Sequence, residues 1–259
     1  MKHIESRANP LFKQLYKWQS SAGRRNEPVL FDGIHLCQSW LDHDRLPRMA
    51  IFDAARIEQP ALVALIDRLP DELCVTMPGG LLAGLADVQT DQGVIFVCDA
   101  PTWTMPKRFE ESIVLLDRIQ DPGNVGTLLR TCAAAGIKRV LSARGTAALW
   151  SPKVLRSAQG AHFALKLYEQ LDLVEICQNL SLPIVATTLA KSTDLYDTKL
   201  PEHCAWVFGH EGQGVAPEIL SQAKLRININ HDRAAVESLN VGIAAAICLF
   251  EQRRQHRVS

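Results

Sequence analysis

A chain of 259 residues with 47% hydrophobic content can bury a sizeable core, and at about 100–200 residues per domain it has room for one or two domains; two are expected. Lysine plus arginine and aspartate plus glutamate stand at 28 each, so no global basic field marks a nucleic-acid binder, and any RNA partner must be held by local patches. No stretch approaches the roughly 18–20 uninterrupted apolar residues of a membrane span, and MKHIESRANP carries no apolar signal core, so a soluble, cytoplasmic protein is expected.

Residues 1–100 read as a compact α/β unit. NPLFKQLYKWQSSAGRR is a basic helical stretch with Leu11, Leu15 and Trp18 at helical spacing, a candidate cap at Asn9 and Pro10 in the first turn. VLFDGIHLCQSWLDH predicts a strand, a turn at Asp32-Gly33 and a helix, and MAIFDA, ELCVTM and GVIFVCDA supply further strands of a mixed sheet. Lys2, Arg7, Lys13, Lys17, Arg24 and Arg25 form a basic patch facing only Glu5, and Arg253, Arg254, His256 and Arg257 make another at the end. Charge alone makes such patches solvated surface. APTWTMPKRFEES, with Pro101 and Pro106 and no clear period, predicts a linker over 101–111.

From 112 to 259 the pattern is a repeated strand, glycine-containing loop and helix, the signature of a mainly parallel sheet covered on both faces. SIVLLDRI, KRVLSA, ALKLYE, PIVATTLA, CAWVFG and KLRININ are the candidate strands. Helices are expected after Asn124, near Lys153 to Gln159, over Leu171 to Asn179 and from Ser238 to Arg254. Ligands in such sheets sit outside the carboxyl ends of the strands. Three motifs occupy loops of that kind.

DPGNVGTLLRTCAAAG follows a strand and predicts a turn at Pro122-Gly123 and a helix from about Val125, with Arg130 one turn in and leaning back over the loop that carries Asn124. Alone, these residues are a cap and a surface charge. VFGHEGQGV has glycines spaced GxxGxG, with neither the Lys-Ser/Thr of a phosphate loop nor the GxGxxG of a dinucleotide turn; what remains is exposed backbone and one acid, Glu211. VESLNVGIAAAICLFEQRRQ opens a helix with Ser238 as its natural cap and a buried stripe of Leu239, Ile243, Ala246, Ile247 and Phe250. Asn240, a mediocre helix former beside free backbone N–H groups, is placed to hold a substrate.

Seven scattered cysteines without CxxC spacing read as reduced core residues. The histidines show no HExxH and no zinc-ligand pairing, and no GxSxG elbow anchors a hydrolase triad, so no metal is expected.

In order and spacing the three motifs resemble those of the SpoU/TrmH family of RNA 2′-O-ribose methyltransferases, members of the SPOUT superfamily. The first half resembles the ribosomal-protein-like RNA-binding domain often found ahead of the catalytic domain. The resemblance implies an α/β fold, a SPOUT-type parallel sheet with a C-terminal trefoil knot, preceded by that smaller α/β domain. It implies methyl transfer from S-adenosyl-L-methionine to a ribose hydroxyl of structured RNA, in a homodimer. By family habit rRNA is favoured over tRNA.

Carried over, Arg130 is the expected catalytic residue, Asn124 its partner, and Glu211, Ser238 and Asn240 belong to the same site. Cofactor contacts are expected from Gly209, Gly214, Thr188, Ile229 and Leu239, and RNA contacts from Arg7, Asn9, Lys13, Arg24 and Arg25. Members carry an Ile-Pro-Met-like segment before the third motif, whereas this chain has ININHDRAA, one residue longer. A non-catalytic RNA-binding or ribosome-assembly factor, and a generic nucleotide-binding α/β domain, are the competing readings. Retention of Asn124, Arg130, Glu211, Ser238 and Asn240 speaks against a mere binder.

Overall fold

The computed structural model describes residues 1–21, 27–86 and 92–256. The chain divides into two compact units, Met1–Pro101 with Trp150–Leu155, and Thr102–Leu149 with Arg156–Ser259. Arg24 and Arg25 of the expected RNA patch, and Arg257 of the basic end, lie outside the described residues.

In the first unit, strands β1 (Lys2–His3), β2 (Val29–Asp32), β3 (Met49–Asp53), β4 (Cys74–Met77) and β5 (Val94–Cys98) form a sheet in the order β1-β4-β3-β5-β2. It is mixed: β3 and β4 run parallel, and β5 is antiparallel to both β2 and β3. Helices α1 (Pro10–Ser20), α2 (Ile34–Asp42), α3 (Pro60–Ile66) and α4 (Gly79–Leu82) complete the unit. Helix α1 starts where the sequence marks it, with Asn9 Oδ1 accepting from Leu11 N at 2.9 Å and Pro10 in the first turn. Phe12 and Leu15 are buried, Leu11 and Trp18 pack at the margin of the same core, and Tyr16 is 56% exposed on the outer side.

In the second unit, β6 (Ile113–Asp117), α5 (Pro122–Ala135), β7 (Arg139–Ala143) and β8 (Lys166–Leu171) are followed by α7 (Leu173–Gln178), β9 (Ile184–Thr187) and β10 (Thr193–Asp194); α6 (Pro152–Ala158), between β7 and β8, is divided between the units after Leu155. Then come β11 (Ala205–Gly209), α8 (Pro217–Gln222), β12 (Leu225–Asn228) and α9 (Val241–Gln255). The sheet order is β10-β12-β9-β11-β6-β7-β8, and every pairing in it is parallel. Strands β6 and β11 are buried throughout, as layers on both faces require. The chain leaves β6 toward β7 and β8, crosses to β9 on the far side, and later lays β11 between β9 and β6. The carboxyl ends of β9, β11 and β12 therefore border one crevice near this reversal, where open α/β sheets place ligands.

The span 101–111, expected as a linker, has no helix or strand; within it Phe109 is 8% exposed in the core of the second unit, with Trp103 and Met105 against the same cluster. Three expectations need correction. Helix α5 begins at Pro122, not near Val125, because Asp121 Oδ1 accepts from Asn124 N at 2.8 Å and caps the helix; Pro122-Gly123 is its first turn. Helix α9 begins at Val241 with Asn240, not Ser238, as its cap: Asn240 Oδ1 accepts from Gly242 N (2.9 Å) and Ile243 N (3.3 Å). The buried face of α9 is Gly242, Ala245, Cys248, Leu249 and Gln252, whereas Ile243 and Phe250 are 53% and 45% exposed. VGIAAAICLF is apolar all round, so periodicity does not choose a face; packing against α5 does.

Candidate active site

The crevice is shaped by how β11 ends. A Cβ on Gly209 would lie 2.2 Å from Val215 N and 2.3 Å from Gly214 C, so only glycine lets the 209–215 loop fold back on its own strand. His210 O accepts from Gly214 N at 2.8 Å, and His210 Nδ1 accepts from Gly212 N at 2.9 Å. The tip of the loop thereby presents backbone to the crevice.

Glu211 ties this loop to the start of α5. Its Oε1 accepts from Asp121 N (3.2 Å) and Asn124 Nδ2 (3.1 Å), and its Oε2 from Gln120 N (3.2 Å). Partial burial pushes the carboxyl up, but the bonds from Asn124 and from the backbone of Glu211, Gln120 and Asp121 outweigh it and hold the group below the usual carboxylate range. With these three hydrogen bonds Glu211 anchors the loop to the start of α5. Asn124 Oδ1 in turn accepts from Asn240 Nδ2 at 2.8 Å, and Asn240 Oδ1 caps α9. One chain of hydrogen bonds thus runs through all three motifs. Close contact of α5 and α9 supports it, since a Cβ on Gly242 would lie 2.9 Å from Thr127 Cγ2.

The crevice is a pocket of about 690 Å³, within the roughly 300–1,000 Å³ of small-molecule sites. Asn124, Thr188, Gly209, Glu211, Gly214, Ile229, Ser238, Leu239 and Asn240 all line it. Freed from capping, Ser238 is exposed at its edge. Ile229 keeps its place in the wall despite the longer 229–238 loop, where His231 Nδ1 lies 2.8 Å from Ile229 O and Nε2 lies 3.4 Å from Glu237 O. Arg130 is the exception: it is exposed on α5 and absent from the lining, six residues and about 9 Å of helix rise beyond Asn124. The earlier start of α5 puts it two turns in rather than one.

Sequence reasoning missed Leu189, His210, Gln213, Asn228 and His231, which also face the pocket. Their one shared signal was position at or just past the ends of β9, β11 and β12. Among the RNA candidates, Asn9 has its oxygen engaged in capping α1, and Arg7 and Lys13 are exposed. Among the described residues, no group of three or more His, Cys, Asp and Glu side chains could hold a metal ion, and no helix is long and apolar enough to cross a membrane.

Residues 111–250 match the SpoU rRNA Methylase family. A Synechocystis protein described as an uncharacterized tRNA/rRNA methyltransferase is 32% identical, over 97% of this chain and 93% of its own. The 23S rRNA (guanosine(2553)-2′-O)-methyltransferase RlmP of Bacillus subtilis is 29% identical, over 98% of this chain and 100% of its own. In fold, the chain superposes on the SpoU methyltransferase AviRb from Streptomyces viridochromogenes, solved in complex with the cofactor AdoMet, with a TM-score of 0.83, 24% identity and coverage of 95% and 98%. Its all-parallel second sheet, the three motifs on one crevice and these matches agree: the chain belongs to the SpoU rRNA methylase family.

Proposed function

We propose that this chain transfers a methyl group from S-adenosyl-L-methionine to a ribose 2′-hydroxyl of rRNA. The observation that carries the reading is the pocket at the ends of β9, β11 and β12, in which the family's three motifs meet through the Glu211–Asn124–Asn240 bonds. The residues fit the cofactor. Leu189, Ile229 and Leu239 offer apolar contact to an adenosyl group, Thr188 and Asn228 offer polar groups, and the backbone from Gly209 to Gly214 can meet a small polar ligand closely. When bound, the cofactor supplies an electrophilic methyl on a sulfonium.

The chain's own residues have to align the 2′-oxygen and manage its proton. Orientation alone can offset roughly 7–11 kcal/mol of barrier. Ser238, exposed at the pocket edge, and the second N–H of Asn240 are placed for that task. Arg130 is the remaining candidate for proton chemistry. A guanidinium stays charged in water, so Arg130 either accepts the proton with help from an RNA phosphate or stabilises the developing alkoxide.

Two further features belong to the reading. The exposed Ile243 and Phe250 on α9 support a homodimer seated on that face, in which Arg130 of one copy serves the pocket of the other. The family's trefoil knot fits β11 lying between β6 and β9, and the first unit fits a ribosomal-protein-like RNA-binding domain, with Arg7, Lys13 and Lys17 as phosphate contacts. Seven buried, unpaired thiols fit a reducing, cytoplasmic setting.

Labelled S-adenosylmethionine offered with rRNA and, separately, tRNA from a strain lacking the protein tests the proposal. Label is expected in rRNA; label in tRNA alone would move the target, and cofactor binding without transfer to any ribosomal intermediate would favour the assembly-factor reading.

A further inference from the structure

Directly below the glycine loop sits a residue that neither the motifs nor the pocket lining picks out. Arg118 follows the last residue of β6 and has φ +58°, a left-handed conformation that costs a non-glycine residue energy and persists only when its surroundings compensate. Its guanidinium grips Asp117 with Nε at 2.9 Å from Oδ1 and Nη2 at 3.1 Å from Oδ2. Asp117 is 3% exposed, and its Oδ2 also accepts from Ala216 N at 2.7 Å. The third prong of the fork, Nη1, donates to Gln213 Oε1 at 3.0 Å.

Gln213 lies in the loop that lines the pocket, and Ala216 closes the same loop. The Asp117–Arg118 pair therefore holds the 209–216 loop at two points three residues apart, while Glu211 holds it from the other side through α5. We propose that Arg118 is a positioning residue for the cofactor: paired with buried Asp117, it fixes Gln213 and Ala216 so that the glycine-loop backbone is ordered before S-adenosylmethionine arrives. A planar fork suits this because it reaches two partners in one fixed geometry, which a lysine does not. Preordering a binding loop raises affinity by removing the cost of ordering it on binding.

The inference rests on S-adenosylmethionine being the ligand of this pocket, and the test separates the two. Calorimetric binding of S-adenosylhomocysteine is measured for the unmodified protein, Arg118→Gly, Gln213→Ala and the double variant, each checked by urea unfolding. Glycine accepts the left-handed backbone, so Arg118→Gly removes the clamp without keeping the strain. Gln213→Ala, at an exposed position, leaves the Asp117 pair intact and so stands even if Arg118→Gly fails to fold.

We expect Arg118→Gly to weaken binding about tenfold, the scale of one hydrogen bond to a charged group, and Gln213→Ala to weaken it severalfold. The double variant should match Arg118→Gly rather than multiply the two losses, because both cut the same connection. In turnover, KM for the cofactor should rise about tenfold with kcat within twofold. Affinity unchanged in Gln213→Ala and in any folded Arg118→Gly overturns the proposal, as do fully multiplicative losses. If the unmodified protein fails to bind S-adenosylhomocysteine or S-adenosylmethionine, the cofactor reading itself falls, and the proposal with it.

Discussion

Asn124 uses both ends of its amide on protein partners, Glu211 through Nδ2 and Asn240 through Oδ1, so its first duty is to hold the site together. Asn124→Asp would set two carboxylates against each other at that contact. At neutral pH the variant should lose about 1 kcal/mol of stability in urea, the scale of one hydrogen bond at a solvated position. The deficit should shrink near pH 4, as the two carboxyls come to share a proton; a deficit independent of pH would place Asn124 outside this network. Arg130 stands apart from the network and from its own pocket. Arg130→Ala should lower kcat by about 100-fold or more while leaving S-adenosylmethionine affinity within a few-fold. A large loss of affinity would instead make it a cofactor residue.

At the level of elements, the connection from α6 to β8 holds a buried histidine. His162 is 2% exposed, with Nε2 2.6 Å from Leu149 O, while Leu149 N donates to Glu169 Oε1 at 2.6 Å. Burial lowers the His162 pKa to about 4, against a reference of 6.5. The folded state therefore resists protonation that the unfolded chain accepts. Stability is full above about pH 6.5 and falls as pH drops toward 4, by about 3 kcal/mol from this residue. Unfolding free energies measured from pH 7 to pH 4 should show that decline, and His162→Gln, which keeps a donor toward Leu149 O, should flatten it. An unchanged profile in the variant would assign the acid sensitivity elsewhere.

Elements were legible in the sequence to differing depth. Six of the seven strands of the second sheet announced themselves because each is a short apolar run bounded by turn residues, whereas β10, the polar pair Thr193–Asp194, carries no such signal. Helix starts were read late or early because two caps compete in each motif, Asp121 with Asn124 and Ser238 with Asn240, and the choice rests on contacts between motifs distant in sequence. The buried side of α9 was not legible, since Ile243, Ala245, Phe250 and Leu249 are alike in polarity. The meeting of Asn124 with Glu211 and of Arg118 with Gln213 depends on β11 being laid beside β6, a crossing that no local pattern encodes.

For the whole molecule, the question is whether one chain makes a complete site. Arg130 lies outside the pocket wall and α9 leaves Ile243 and Phe250 exposed, so a site shared between two copies predicts complementation. Arg130→Ala, inactive alone, mixed with Leu239→Arg, whose pocket is filled, should regain activity on forming mixed dimers, because one pocket then has both an open cavity and an arginine. No recovery in mixed dimers would return Arg130 to the pocket of its own chain. The chemistry itself is tested most directly by methylating RNA with labelled S-adenosylmethionine, digesting it to nucleosides and mapping resistance to alkali. A single site carrying a 2′-O-methylnucleoside, resistant to alkaline cleavage and absent with Arg130→Ala, is the predicted result. Label on a base, with the adjacent phosphodiester still cleaved by alkali, would contradict the account.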